Sequence, residues 1–299
     1  MSDPRLPSFI IAGAAKSATT WLQQSLQGSP RIFMPAPEPH FFSRHHQAGI
    51  ASYAALFADA GAGAIIGEKS NSYLTTPGAE ARLHAHLPDT RLIFQLRDPV
   101  ERAYSDYAML FRRGEVDGDI GRHLDPDRAA TGRFLHDGCY ALHLSRFYDL
   151  FAPEQILVLL YEQMTQAPGR QLDQLAAHIG LQGALAPPLR DRVKDARSAA
   201  VPRPLRRLLA PLRPALDPLR QTALIRGLRT LVARPYEYPA LDPVLRAEIA
   251  DFYRPHNAAL MGLTGISLRP WSQDRTPADD QGMRKTNLPS KNRPDADLV

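Results

Sequence analysis

Short apolar runs recur along this chain, separated by longer stretches in which apolar residues fall every three or four positions. The runs are 8–12 (Ser-Phe-Ile-Ile-Ala), 64–68 (Ala-Ile-Ile-Gly-Glu), 91–96 (Arg-Leu-Ile-Phe-Gln-Leu) and 155–160 (Gln-Ile-Leu-Val-Leu-Leu). Each is continuous rather than alternating, as expected of strands covered on both faces. Helical spacing occupies 18–27, 77–87, 99–113, 140–151, 169–179 and 242–261. Pro77 and Pro99 suit helix starts, and Asp98 stands before Pro99 as an N-cap. Strand alternating with helix at this spacing predicts an α/β fold, a parallel sheet wrapped on both faces. The run from Phe9 to Ala15 reads as a buried first strand rather than a signal segment, because Asp3 weakens the basic prelude and Lys16 ends it. No apolar run approaches the roughly 20 residues that cross a bilayer.

Composition alters this picture mainly in the last third of the chain. Residues 187–218 are rich in Pro and Arg and carry no strand signal. The net charge is +5, yet 189–234 alone holds 12 Lys/Arg against 3 Asp/Glu. That block, +9, leaves −4 for everything else. It is either a solvated helical face or a surface for a polyanion, a membrane face or an anionic cofactor. From Ser272 onward the chain is polar, with little to bury, and is expected to be disordered. The expected organisation is therefore one domain over 1–271, with 187–235 as a basic helical insert or lid, and a tail over 272–299. Cys139 is the sole cysteine, which rules out an intramolecular disulfide and suits a reducing interior such as the cytoplasm. No His/Cys/Asp cluster has metal-binding spacing along the sequence, so no metal is expected.

The first candidate site follows the first strand: Gly13-Ala14-Ala15-Lys16-Ser17-Ala18-Thr19-Thr20-Trp21. A helix N-terminus offers unpaired N–H groups and a positive dipole end, both suited to phosphate. Lys16 adds a point charge, and Ser17, Thr19 and Thr20 add hydroxyls. An ordinary strand-to-helix turn with an exposed lysine explains the loop equally well when it is taken alone. The NTPase pattern G-x-x-x-x-G-K-[ST] fails, since Ala15 precedes the lysine and Gly13 lies only three positions before it. A second candidate opens at the end of the third strand, Arg97-Asp98-Pro99, and continues through Arg102 to Ser105 and Tyr107. Arg97 stands where open α/β sheets place their ligands. Ser105 follows about two helical turns later, so both can face one anion, the arginine with a planar fork.

Together these segments resemble the PAPS-dependent sulfotransferases, whose donor is 3′-phosphoadenosine 5′-phosphosulfate (PAPS). The first resembles their 5′-phosphosulfate loop, K-[ST]-G-T-T-W, with Ala18 in place of glycine. The second matches their 3′-phosphate pattern, R-[DN]-P-x-x-R-x-x-S-x-Y. The stretch Phe33-Met34-Pro35-Ala36-Pro37-Glu38-Pro39-His40-Phe41-Phe42 resembles the P-x-K-E-P-H-F-F of the carbohydrate-type and many bacterial members, including the heparan sulfate N- and O-sulfotransferases. Pro37 stands where these usually have lysine. The resemblance implies a P-loop-like three-layer fold with a central parallel sheet. It implies PAPS bound by Lys16, Ser17, Ala18, Thr19, Thr20, Trp21, Arg97 and Ser105, with Trp21 near the adenine. By the same resemblance Glu38 is the general base and Lys16 stabilises the leaving phosphate; His40 competes for the base role. Lys69, in a stretch resembling E-K-S-x-x-Y, would face the transferred sulfonate or an anionic acceptor, though a plain loop lysine explains it as well. Gly138-Cys139-Tyr140 matches the family's G-x-Y, and Lys194 and Arg197 are lid candidates.

The expected acceptor is a hydroxyl or amine of a small molecule or glycan, with carbohydrate or glycolipid first. No nucleic-acid partner is expected, and peripheral membrane contact stays open through 189–234. Two other readings remain at this point: a small-molecule kinase using Lys16 on ATP, and a non-enzymatic polyanion- or membrane-binding protein built on the basic block.

Overall fold

A computed structural model describes residues 6–187 and 237–271. Nearly all of the basic 187–235 segment, with Lys194 and Arg197, and the whole 272–299 tail lie outside the described residues. The described elements up to Thr264 fall in a unit ending at Ile266; the 3₁₀ turn Arg269–Trp271 belongs to a second unit that begins at Ser267.

Five strands form one parallel sheet: β1 Phe9–Gly13, β2 Ile32–Phe33, β3 Ile65–Lys69, β4 Arg91–Leu96 and β5 Ile156–Leu160, in the order β2-β3-β1-β4-β5. Four are the expected runs, within a residue or two. The fifth, β2, is a two-residue edge strand that no hydrophobic pattern announces. The described helices are α1 Thr19–Gln27, α2 Ile50–Ala54, α3 Ala79–His86, α4 Pro99–Arg113, α5 Ile120–Leu124, α6 Pro126–Ala129, α7 Arg133–His136, α8 Tyr140–Tyr148, α9 Tyr161–Gln166, α10 Pro168–His178 and α11 Pro243–Thr264.

β1 is buried throughout and β4 from Leu92 onward, which is why their sequences carry no alternation. One core joins the sheet to α1 and α10 through Phe9, Ile11, Leu22, Ile93, Leu172 and Leu175. A second lies among α4, α7 and α11, around Tyr107, Phe134, Leu135, Ile249 and Tyr253. Gly67 on β3 is needed for the first: a Cβ there would stand 2.0 Å from the Phe9 ring.

The sheet order places a topological switch point between β1 and β4, and a ligand crevice is expected at the carboxyl ends of strands there. The phosphate loop leaves β1 at that point, and Arg97 leaves β4. Among the described residues no helix is long and apolar enough to cross a membrane.

Candidate active site

The loop from β1 to α1 turns through two left-handed residues, Lys16 (φ 72°) and Ala18 (φ 61°). Left-handed residues beside right-handed ones build the concave nests that cradle anions. Ala18 therefore adopts the conformation that its Cβ disfavours and that glycine would take without penalty. It is also the N-cap of α1 and supplies no side-chain cap, and the first turn carries no acidic residue. Trp21 N turns back to the Ala18 carbonyl (2.8 Å), and no side chain caps the Thr19 and Thr20 amides before it.

Three side chains around this turn are short of partners. Ser17 is fully buried, and its Oγ has no hydrogen-bond partner among the described residues. Arg97 Nε is in the same position. The Lys16 ammonium contacts only the thioether of Met109, at 3.5 Å, and makes no ion pair among the described residues. Burial pushes the Lys16 pKa below the usual lysine value, Asp106 opposes that, and Arg97, Arg113 and Arg102 add to it. A half-buried lysine among arginines, beside uncapped amides and an orphaned hydroxyl, has the electrostatics of an anion site awaiting charge.

Arg97 is held from several sides. It donates from Nη1 to the Lys16 carbonyl (3.4 Å), pairs with Glu101 (3.7 Å) and lies over the Tyr161 ring (4.9 Å). Tyr140, the tyrosine of the G-x-Y match, donates its hydroxyl to the Arg97 carbonyl at 2.9 Å. Glu101 in turn binds Arg246 of α11 at 2.5 Å. Asp98 caps α4 as expected, accepting from Val100 N (2.9 Å) and Glu101 N (3.4 Å), and burial raises its carboxyl to about 6. Ser105 lies on α4, half-buried. Arg102, which as a plain helix position would be solvated, is instead buried: it pairs with Asp106 (3.9 Å) and donates to the Phe134 carbonyl. Asp106 also receives a two-pronged contact from Arg133, at 2.9 and 3.1 Å.

The third motif runs as a strap from β2 into the π-helical turn Phe41–His45. Its Glu38 accepts from Lys69 Nζ at 2.9 Å, and the same ammonium donates to Thr20 Oγ1 at 3.1 Å. Lys69 is buried, and Glu38 is one-quarter exposed. The plain-loop account of Lys69 is thereby corrected: β3 delivers it into the site, between the strap and α1. Glu38 also accepts from Asn71 N (3.3 Å) and lies 3.5 Å from His40 Nε2. His40 Nδ1 faces Ser72 Oγ at 2.7 Å, and burial, ahead of the opposing pull of Glu38, moves its pKa below the ordinary histidine value. Trp21 packs its partly buried side against the core under α1.

Sequence reasoning assigned no role to Glu68, Tyr53, Tyr161 or Asp106, whose partners include Tyr53 for Glu68, Arg97 for Tyr161 and Arg133 for Asp106, well apart along the chain. It also found no metal spacing, whereas the structure brings His136, Asp137 and His143 within 4.8 Å of one another. His143 Nε2 faces the His136 carbonyl (2.9 Å) and Nδ1 faces Arg146 (3.5 Å), so both its ring nitrogens are engaged.

Comparisons with known proteins point to the sulfotransferases. Residues 42–184 match the model of the "Sulfotransferase family", which takes in Lys69, Arg97 and Ser105 and begins after Lys16 and Glu38. Human heparan sulfate glucosamine 3-O-sulfotransferase 6 is 33% identical over 182 residues, 59% of this chain and 53% of that protein. Human bifunctional heparan sulfate N-deacetylase/N-sulfotransferase 3 is 30% identical over 196 residues, 59% of this chain and 22% of that one. The chain thus spans about half the length, or less, of the curated relatives it matches. A crystal structure of a sulfotransferase from Alicyclobacillus acidocaldarius superposes with a TM-score of 0.64 at 24% identity, covering 89% of this chain and 99% of that one, and shares the fold. The match over 42–184 and the curated relatives make this chain similar in sequence to the sulfotransferases, and the sheet with its flanking helices shares the fold of a solved one.

Proposed function

We propose that this protein transfers a sulfonate from PAPS to a hydroxyl or amine of a carbohydrate-class acceptor. The observation that carries the reading is the contact chain Thr20–Lys69–Glu38, which joins the phosphate loop to a carboxylate through one buried ammonium. The donor set fits PAPS on structural grounds: uncapped α1 amides, the orphaned Ser17 hydroxyl and the unpaired Lys16 suit the 5′-phosphosulfate, and Arg97 with Ser105 suits the 3′-phosphate. Trp21 is assigned to the adenine by resemblance alone. PAPS supplies the sulfonate and the leaving phosphate.

Sulfuryl transfer is treated by analogy with phosphoryl transfer, as an in-line displacement governed by positioning and charge stabilisation. Lys16 stabilises charge developing on the leaving phosphate. Glu38, open to an incoming acceptor, takes its proton, and Lys69 faces the sulfonate. A glycan acceptor is favoured by the named substrates of the relatives, and the cytoplasm is read from Cys139, free and buried, alone. The kinase alternative loses ground, since the family match points elsewhere. No metal is assigned a role.

The test pairs ligand stabilisation with turnover. Adenosine 3′,5′-bisphosphate should raise the melting temperature, while ATP with Mg²⁺ should not. An acceptor panel with labelled PAPS should give product that Glu38→Gln removes without weakening bisphosphate binding. Stabilisation by ATP–Mg²⁺ alone would overturn the donor assignment, and normal turnover in Glu38→Gln would move the base role to His40.

A further inference from the structure

Glu68, like Asp106, has no exposed surface, but unlike Asp106 it has no cation paired with it among the described residues. It instead accepts three hydroxyl protons: from Tyr53 (2.7 Å) and Tyr73 (2.8 Å) at Oε1, and from Ser70 (2.7 Å) at Oε2. Each of these hydroxyl-bearing side chains also touches the strap that carries Glu38. Ser70 Oγ accepts from His40 N at 2.8 Å. Tyr73 Oη accepts from Phe42 N at 3.3 Å. The Tyr53 ring stacks on Phe41 at 4.7 Å and meets Phe42 edge-on at 5.2 Å.

A hydroxyl can accept from a strap amide and still be satisfied only if its own proton has an acceptor beyond it. A carboxylate, acceptor-only when ionised, provides that for three hydroxyls at once. The two relays thus have a fixed polarity, from strap amide to hydroxyl to Glu68. We propose that Glu68 is a positioning residue: its ionised carboxylate sets the direction of these relays and thereby holds the Glu38–Phe42 strap against β3 and the phosphate loop. A protonated Glu68, or a glutamine, must donate from one of its two atoms, and the hydroxyl it meets there is left with a proton to place elsewhere.

Burial raises the Glu68 carboxyl to about 7, against the opposing effect of the three hydroxyls. The titratable groups around it are Tyr53 from α2, Tyr73 after β3, Lys69 beside it on β3, and Glu38 and His40 on the strap. Both tyrosines are pushed up, and His40 is pushed down, so none of these three titrates at Glu68's midpoint. The carboxylate's pKa is above its unfolded value, so the folded state gives up stability as pH rises from about 4.5 to about 7. Position is gained at the cost of stability, and that separates this role from a merely structural one.

Hydrogen exchange at individual amides tests the proposal without reference to catalysis. In Glu68→Gln the His40 and Phe42 amides should exchange about tenfold faster while the melting temperature at pH 8 holds or rises. In the wild type the same amides, corrected for intrinsic exchange, should loosen as pH falls through about 7, and the variant should lack that dependence. The turnover arm rests on the sulfotransfer reading: kcat should fall about tenfold with bisphosphate affinity unchanged. Should Glu68→Gln fail to fold, Ser70→Ala and Tyr73→Phe decide, each expected to release only the amide it holds. Unchanged exchange at both amides overturns the proposal, as does a joint loss of melting temperature and bisphosphate binding. If the wild type itself binds no bisphosphate, the sulfotransfer reading fails, while the exchange result still decides the role of Glu68.

Discussion

Two helices begin side by side at the switch point, and their first turns are built in opposite ways. Helix α4 is closed: Asp98 accepts from two of its amides, and Pro99 occupies a position where no donor is needed. Helix α1 is open: its N-cap is Ala18, in a left-handed conformation, with no side-chain oxygen to receive an amide. The closed end fixes the helix that carries Arg97 beside it and Ser105 within it. The open end keeps its donors for a ligand. Satisfied polar groups position, and unsatisfied ones bind; the crevice needs both.

The largest break in this contrast should come from Lys16→Ala. Removing the charge proposed to stabilise the leaving phosphate should lower kcat by a factor of about 10² to 10³. The fold should be kept, since the ammonium has no ion-pair partner to lose among the described residues. Single-turnover rates with labelled PAPS, beside a thermal melt, check both halves. Arg97→Ala should come next. The variant should bind adenosine 3′,5′-bisphosphate about 10- to 100-fold more weakly while leaving adenosine 5′-phosphate nearly unaffected. Equal weakening of both ligands would show that Arg97 does not face the 3′-phosphate.

Smaller effects sharpen the comparison at the caps themselves. Asp98→Ala should cost about 1 kcal/mol of stability, whereas Asp98→Asn, still a cap, should cost little. The folded Asp98 carboxyl, at about 6, lies above its unfolded value, so the wild type loses stability as pH rises from about 4 to about 6. The asparagine variant should therefore gain on the wild type across that window, as read from denaturant midpoints. Ala18→Gly should be the mildest, raising stability by up to about 1 kcal/mol as the left-handed turn is relieved. Loss of stability there would mean that the Ala18 Cβ makes packing contacts worth more than the strain.

The four long strands and the main helices were legible because their signals are local. Continuous apolar runs mark buried strands, and Asp98-Pro99 marks a helix start. Edge strand β2 was not legible, since two residues held by pairing to β3 leave no period to read. Lys16, Arg97 and Ser105 stood out as motif positions, and the spacing of the last two allows both to face one anion. Lys69 stayed ambiguous because nothing local tells a buried lysine from a solvated one. The burial of Arg102 was not legible for the same reason: its partners include the Phe134 carbonyl, far along the chain.

What the sequence determined by itself is the class of sheet, the two motifs proposed to hold phosphate and the order in which they leave adjacent strands. Those follow from residue type and short-range spacing. The tertiary structure alone decided that α1 is left without a side-chain cap, that Lys69 bridges Thr20 and Glu38, and that Glu68 collects three hydroxyls, two of them bound to one strap. Such facts depend on which groups remain unpaired or become paired once distant segments pack. That outcome is set by burial and long-range hydrogen bonding, which no local pattern records.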